Sequence, residues 1–249
     1  MANKSKVLRT LVVAPHPDDD IIGCGGSMAR HLEQGNEVFV IYVTNGDAEC
    51  QRFQPDKFTK IRKEETLSAG RCLGLKAGNL FFLDEKPWRL NEEKIRFKLL
   101  ELVRQIRPDV CYIPHIADSH LDHQIVSRAA LDAINMAPGR WFRRHNSIGE
   151  KPFSASVILA YEVWSPLMIP NYFEDVTLFL KRKMQALREH KTQAVAKYEH
   201  AYRGMNAFRG AMHEGRESVF SEAFQILKIL KVFHWNKKRA TRISLSGRI

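Results

Sequence analysis

Through the first half of this chain, short apolar runs alternate with longer amphipathic stretches. Residues 7–14 (VLRTLVVA), 37–44 (EVFVIYVT), 79–83 (NLFFL) and 109–113 (DVCYI) are rich in β-branched or aromatic residues. Their near-continuous apolarity is that of strands covered on both faces. Between them, residues 21–34, 58–73 and 91–106 place apolar side chains at helical spacing, and a further helix is expected over 122–135. Gly35 and Gly74 close the first two of these helices. Strand and helix in alternation predict parallel βαβ units, hence an α/β fold: a Rossmann-like, doubly wound, mostly parallel sheet with helices on both faces. The pattern changes after Pro138, where residues 137–154 (APGRWFRRHNSIGEKPFS) form a basic Gly/Pro-containing loop. A strand is expected at 156–163 (SVILAYEV), and helices at 181–197 and 218–232. The chain is read as a single domain, with a core over 1–138 and a smaller C-terminal lobe over 139–249 that shapes the substrate pocket.

Composition refines this picture in three ways. With 249 residues, 44% hydrophobic and 27% charged, the chain is long enough for a sizeable core. No apolar run approaches the ~20 residues of a membrane span, and MANKSKVLRT lacks the apolar centre of a signal peptide, so a cytoplasmic protein is expected. The four cysteines (Cys24, Cys50, Cys72, Cys111) show no CxxC spacing, and Cys24, Cys72 and Cys111, in apolar contexts, are expected to behave as small buried hydrophobes. Finally, the net charge of +11 is carried by residues 139–249, with 20 Lys and Arg against 9 Asp and Glu, whereas residues 1–138 hold 19 of each. No nucleic-acid-binding motif accompanies that excess, so nucleic acid is not an expected partner. A solvated basic face is the expected reading, and it also suits a phosphorylated or lipid-linked anionic substrate. A homo-oligomer is left open.

The chemistry concentrates at two places. Residues 15–20 (PHPDDD) follow the first strand, and residues 114–124 (PHIADSHLDHQ) follow the fourth. In a doubly wound sheet of order 3-2-1-4 these strands are neighbours where the order reverses, and ligands bind beyond the carboxyl ends of strands at that point. Three successive carboxylates repel one another unless a cation compensates them. Two imidazoles and a carboxylate with an open fourth position form a catalytic zinc set. His16 and Asp19, three apart on a turn, can share an ion that His123 completes. Asp18 or Asp20 is then free to take a proton from water, and His120 to face a developing oxyanion.

PHPDDD followed by GCGGS, with HLDH about 100 residues later, resembles the LmbE/PIG-L family of zinc-dependent N-deacetylases. The resemblance covers at least residues 7–135 and extends more loosely through YEVWSP (161–166). It implies Zn²⁺ ligands at His16, Asp19 and His123, a general base at Asp18, a transition-state histidine at His120 and a substrate-facing arginine at Arg62. It further implies that zinc and Asp18 activate water against an acetamide, that His120 meets the oxyanion, and that Asp18 or His120 protonates the amine. The products implied are acetate and a free amino sugar. Asp20 stands where the family carries Glu and is left out of the catalytic set.

Simpler roles compete at several positions. One of the three aspartates is expected to cap the following helix. GCGGS lacks the spacing of a dinucleotide fingerprint, and its glycines are expected to bring the helix close to the sheet. Arg62 and Glu65 have the spacing of a surface ion pair. His115 is either structural or pocket-lining. No G-x-S-x-G elbow supports Ser119 as a nucleophile. Trp88, Trp141, Phe142 and Trp164 can stack on a sugar face or fill core; core is expected for each, Trp141 being the best of them for a substrate wall. Two alternative functions stand beside the deacetylase: a non-catalytic metal- or anion-binding adaptor, and a metal-dependent amidase or esterase on a non-sugar substrate.

Overall fold

The structure, a computed structural model, describes residues 6–47, 54–139, 152–193, 195–213 and 218–230. In chain order the elements are β1 (Arg9–Ala14), α1 (Asp19–Glu33), β2 (Glu37–Thr44), α2 (Pro55–Leu73), β3 (Leu80–Glu85), α3 (Glu92–Ile106), β4 (Val110–Pro114) and α4 (Leu121–Met136). There follow β5 (Val157–Tyr161), β6 (Tyr172–Asp175), α5 (Leu180–Arg188), α6 (Val195–Ala211) and β7 (Ser221–Ile229). One seven-stranded sheet runs in the order β3-β2-β1-β4-β5-β7-β6. Its first five strands are parallel, while β7 lies antiparallel between β5 and β6. The strands beyond residue 138 thus extend the sheet begun by the first half.

Alternate side chains of each strand feed opposite cores, as the period-2 geometry of a strand requires. Leu11, Val13, Ile41 and Val43 pack with Ile95, Leu99 and Val103 of α3 and with Val126 and Ala130 of α4. Val12, Ala14, Val40 and Tyr42 join Ile22 and Met28 of α1, Leu73 of α2 and Leu187 of α5. Helix α1 lies close against the sheet through its glycines. A Cβ on Gly23 would sit 2.2 Å from the Tyr161 ring, and one on Gly26 would sit 2.6 Å from Val176.

Two expected helices are corrected. Residues 181–197 do not form one helix: α5 stops at Arg188 and α6 begins at Val195. The Glu65 carboxylate accepts both the backbone N–H and the Oγ1–H of Thr192, each at 2.7 Å, which withdraws that N–H from a helical bond. Residues 218–232 contain a strand, β7, whose pairing with β5 and β6 overrides a local pattern compatible with either state. Strand β6 was not anticipated from the sequence. Of the cysteines, Cys24 and Cys111 are buried and Cys72 is partly exposed. Cys50, Trp141, Phe142 and the basic tail from residue 235 lie outside the described residues.

For the site the decisive pairing is β1 with β4, in register at Thr10↔Val110 and Val12↔Tyr112. It brings the loops that follow these two strands side by side.

Candidate metal centre

The chain leaves β1 through Pro15 and bends sharply at Asp18, whose φ of 136° lies in the left-handed region. A non-glycine residue held there stores about 1–3 kcal/mol of strain. Asp18 occupies the N-cap position of α1 but makes no side-chain capping bond. The expected cap is therefore absent at Asp18, and the neighbouring carboxylate turns backward: Asp19 Oδ2 accepts the His16 backbone N–H at 2.8 Å. From the other side, α4 starts at Leu121 with His120 as its N-cap and His123 in its first turn.

These segments meet in a near-equilateral triangle. Asp19 Oδ2 lies 3.2 Å from His16 Nδ1 and 3.2 Å from His123 Nε2, and the two nitrogens are 3.2 Å apart. Tetrahedral Zn²⁺ with ligand bonds of ~2.0–2.1 Å separates its ligands by about 3.3 Å. Two imidazole nitrogens and a carboxylate oxygen at this spacing fit such an ion in both chemistry and size. His120 is close by, its ring centroid 4.8 Å from that of His16 and 5.0 Å from that of His123.

Each of the two candidate imidazole ligands faces a carboxylate on its outer side. His16 Nε2 lies 3.1 Å from Asp122 Oδ2, a contact that places the proton on Nε2 and frees Nδ1 for the centre. His123 Nδ1 faces Asp118 Oδ2 at 3.6 Å. Asp118 also accepts the backbone N–H groups of His120 at 2.9 Å and Trp164 at 3.0 Å, fixing the rim of the loop after β5. His115 belongs to that anchorage, its Nε2 bonding the Ser165 carbonyl at 2.7 Å, and so has a structural place. The sequence reading gave Asp118 and Asp122 no role. The signal was available: a metal-bound imidazole needs a partner for its second nitrogen, and these were the spare carboxylates of the second loop.

The electrostatics separate the three aspartates. Burial raises Asp18 to about 6, with the Arg62 guanidinium opposing the rise from 3.5 Å. Burial would also raise Asp19, but His123 and His16 outweigh it and hold Asp19 below the usual carboxylate range. Asp20 is raised to about 7 by burial, lies behind the centre and accepts the Tyr42 hydroxyl at 2.8 Å. Burial would lower His123, yet the Asp19 and Asp118 carboxylates raise it to about 10. His120 is shifted down, by burial first and then by the two neighbouring imidazoles. Its Nδ1 accepts the Asp122 N–H at 3.1 Å, so the neutral ring carries its proton on Nε2.

Arg62 is buried, 2% exposed, and forms no surface pair with Glu65, which is engaged by Thr192. Its Nη2 donates to the Pro17 carbonyl, whereas Nε and Nη1 have no hydrogen-bond partner among the described residues. The aromatic residues need correction. Trp88 is 53% exposed and Trp164 43% exposed, so neither fills core. Trp88 instead lies over His120, ring centroids 4.2 Å apart and planes inclined by 32°. Its backbone also takes a left-handed conformation, with φ of 62°.

Comparison with known proteins bears on the family and the fold. The family model described as PIG-L, GlcNAc-PI de-N-acetylase, matches residues 11–134. The chain is 26% identical to a diacetylchitobiose deacetylase of Thermococcus kodakarensis over 75% of its own length and 70% of the relative's. It is 25% identical to a 4-oxalmesaconate hydratase of Pseudomonas putida over 86% and 87%. Among solved structures, the N,N'-diacetylchitobiose deacetylase from Pyrococcus horikoshii, in complex with its inhibitor MPG, superposes with a TM-score of 0.80 at 26% identity. That superposition covers 89% of this chain and 84% of the other.

Proposed function

Because residues 11–134 place this chain in the PIG-L (LmbE-like) family, we propose that it is a Zn²⁺-dependent N-deacetylase acting on an N-acetylated amino sugar or small glycoconjugate. The observation that carries this reading is the 3.2 Å triangle of His16 Nδ1, Asp19 Oδ2 and His123 Nε2, flanked by Asp18 and His120. Zn²⁺ held by these three atoms supplies, when bound, a Lewis acid for the acetamide carbonyl and for a water molecule. Asp18 takes the proton of the attacking water. A carboxylate at about 6 is ionised at neutral pH yet more basic than an ordinary aspartate. His120, neutral and protonated on Nε2, donates a hydrogen bond to the oxyanion that develops as the carbonyl carbon becomes tetrahedral. Having a depressed pKa, it keeps that role, and Asp18 returns the proton it gained to the departing amine. The unpartnered Nε and Nη1 of Arg62 support its role as a substrate contact. We read the whole chain as one domain, with the basic second half favouring an anionic substrate.

The hydratase relative favours a second reading, in which the same groups add water to an unsaturated acid. Acetate release from N-acetylglucosamine and N,N'-diacetylchitobiose, with and without a chelator and after zinc is restored, separates the two. Release that stops with chelator and returns with zinc supports the deacetylase. Chelator-insensitive release overturns the metal. No release from zinc-loaded protein, with hydration of an unsaturated oxo-acid observed, overturns the deacetylase reading.

A further inference from the structure

Trp88 combines three features that a merely space-filling residue would not. The residue is 53% exposed although it packs on the site, its ring lying 4.2 Å from that of His120 centroid to centroid. Its backbone is held at a φ of 62°, a conformation that L side chains rarely adopt. That conformation is fixed by the site itself, since the Trp88 N–H is shared between both carboxylate oxygens of Asp122 at 3.1 Å each. Asp122 in turn holds His16 Nε2 at 3.1 Å. The loop after β3 is thus tied through Asp122 to the candidate ligand His16, and its one aromatic side chain is left half exposed beside His120.

We propose that Trp88 is a carbohydrate-stacking subsite, its indole receiving the C–H face of the pyranose ring that carries the acetamide. Aromatic faces pack against flat, partly apolar rings, and a few such walls with convergent polar groups characterise small-ligand sites. A pyranose joined directly to the reacting nitrogen lies within one ring's width of His120, where the indole is. An acyclic acetamide presents no such face, so the subsite selects sugars over open-chain amides. This inference rests on the deacetylase reading and narrows its substrate class.

The test compares N-acetylglucosamine with N-acetylethanolamine, both on zinc-loaded protein. For Trp88→Ala the preference in kcat/KM for the sugar falls about tenfold, through KM, whatever loss the two substrates share. Trp88→Phe keeps most of the preference, and zinc content is equal in all three proteins. An unchanged preference in Trp88→Ala overturns the subsite, whatever loss the two substrates share. Binding supplies an independent readout: N-acetylglucosamine perturbs tryptophan fluorescence in the wild type, and the perturbation disappears in Trp88→Phe. Should the wild type release acetate from neither compound, the deacetylase reading falls, while the fluorescence difference still decides whether Trp88 binds a sugar.

Discussion

Asp18 illustrates how one residue's backbone and charge serve the same end. Its φ of 136° sets its carboxylate apart from that of Asp19, and burial raises it to about 6 while Arg62 restrains the rise. Asp18→Asn keeps the shape and tolerance for that backbone but removes the base. Turnover should fall by about 10²–10⁴ with zinc content unchanged, whereas His16→Ala or His123→Ala should lose the metal. Metal analysis beside rate on the same samples checks both. Arg62→Gln removes the positive neighbour, so Asp18 should ionise at higher pH. The acid limb of kcat/KM then moves upward in pH, and a limb that stays put shows that the guanidinium acts on substrate alone. At this scale the candidate ligands were legible, because three carboxylates beside an imidazole have few uses other than a cation. Trp88 was not, since its place depends on which way its side chain points once distant loops meet, whereas Asp118 and Asp122 were available as spare carboxylates beside the histidines.

At the scale of elements, the first four βα units were readable because each strand and helix is bounded by its own local signals. Strand β7 was not, since its partners on β5 lie roughly 65 residues away in the chain. It is locked in place by Glu222, whose carboxylate accepts the backbone N–H groups of Gly26 and Ser27 at 2.8 Å each and the Ser27 hydroxyl at 2.7 Å. Lys183 of α5 completes that cluster, its Nζ 2.7 Å from Glu222 Oε1, both side chains almost wholly buried. One carboxylate therefore ties α1, α5 and β7 together. Lys183→Met should cost about 3–5 kcal/mol, because it leaves a buried carboxylate without its counter-charge. Adding Glu222→Gln to that variant should recover part of the loss, since the remaining amide no longer carries the charge. Urea unfolding of both variants measures this, and equal stability of the single and double variants would contradict it.

For the molecule as a whole, the helical layers packed around the sheet also bury further imidazoles. His31 of α1 lies beneath β1 and β4, its Nδ1 3.2 Å from Thr10 Oγ1 and its Nε2 3.2 Å from the Tyr112 hydroxyl. Burial, with Arg30 adding to it, lowers His31 to about 3. His190, in the turn between α5 and α6, is lowered to about 3 chiefly by burial. An unfolded histidine titrates near 6.5, so between about 6.5 and 3 the unfolded chain binds a proton that the folded chain refuses. Stability therefore rises with pH across this window and falls as the solution is acidified. At pH 5 each such histidine should have withdrawn about 2 kcal/mol relative to pH 8. Other groups titrate over the same range, His123 among them with a shift of opposite sign, so the measurement is a double difference. Unfolding free energies of the wild type and of His31→Gln at pH 8 and pH 5 cancel what the two proteins share. The acid-induced loss should be smaller in His31→Gln by about 2 kcal/mol, because glutamine occupies the same polar niche without binding a proton in either state. An identical loss in both proteins would mean that His31 takes up its proton in the folded core.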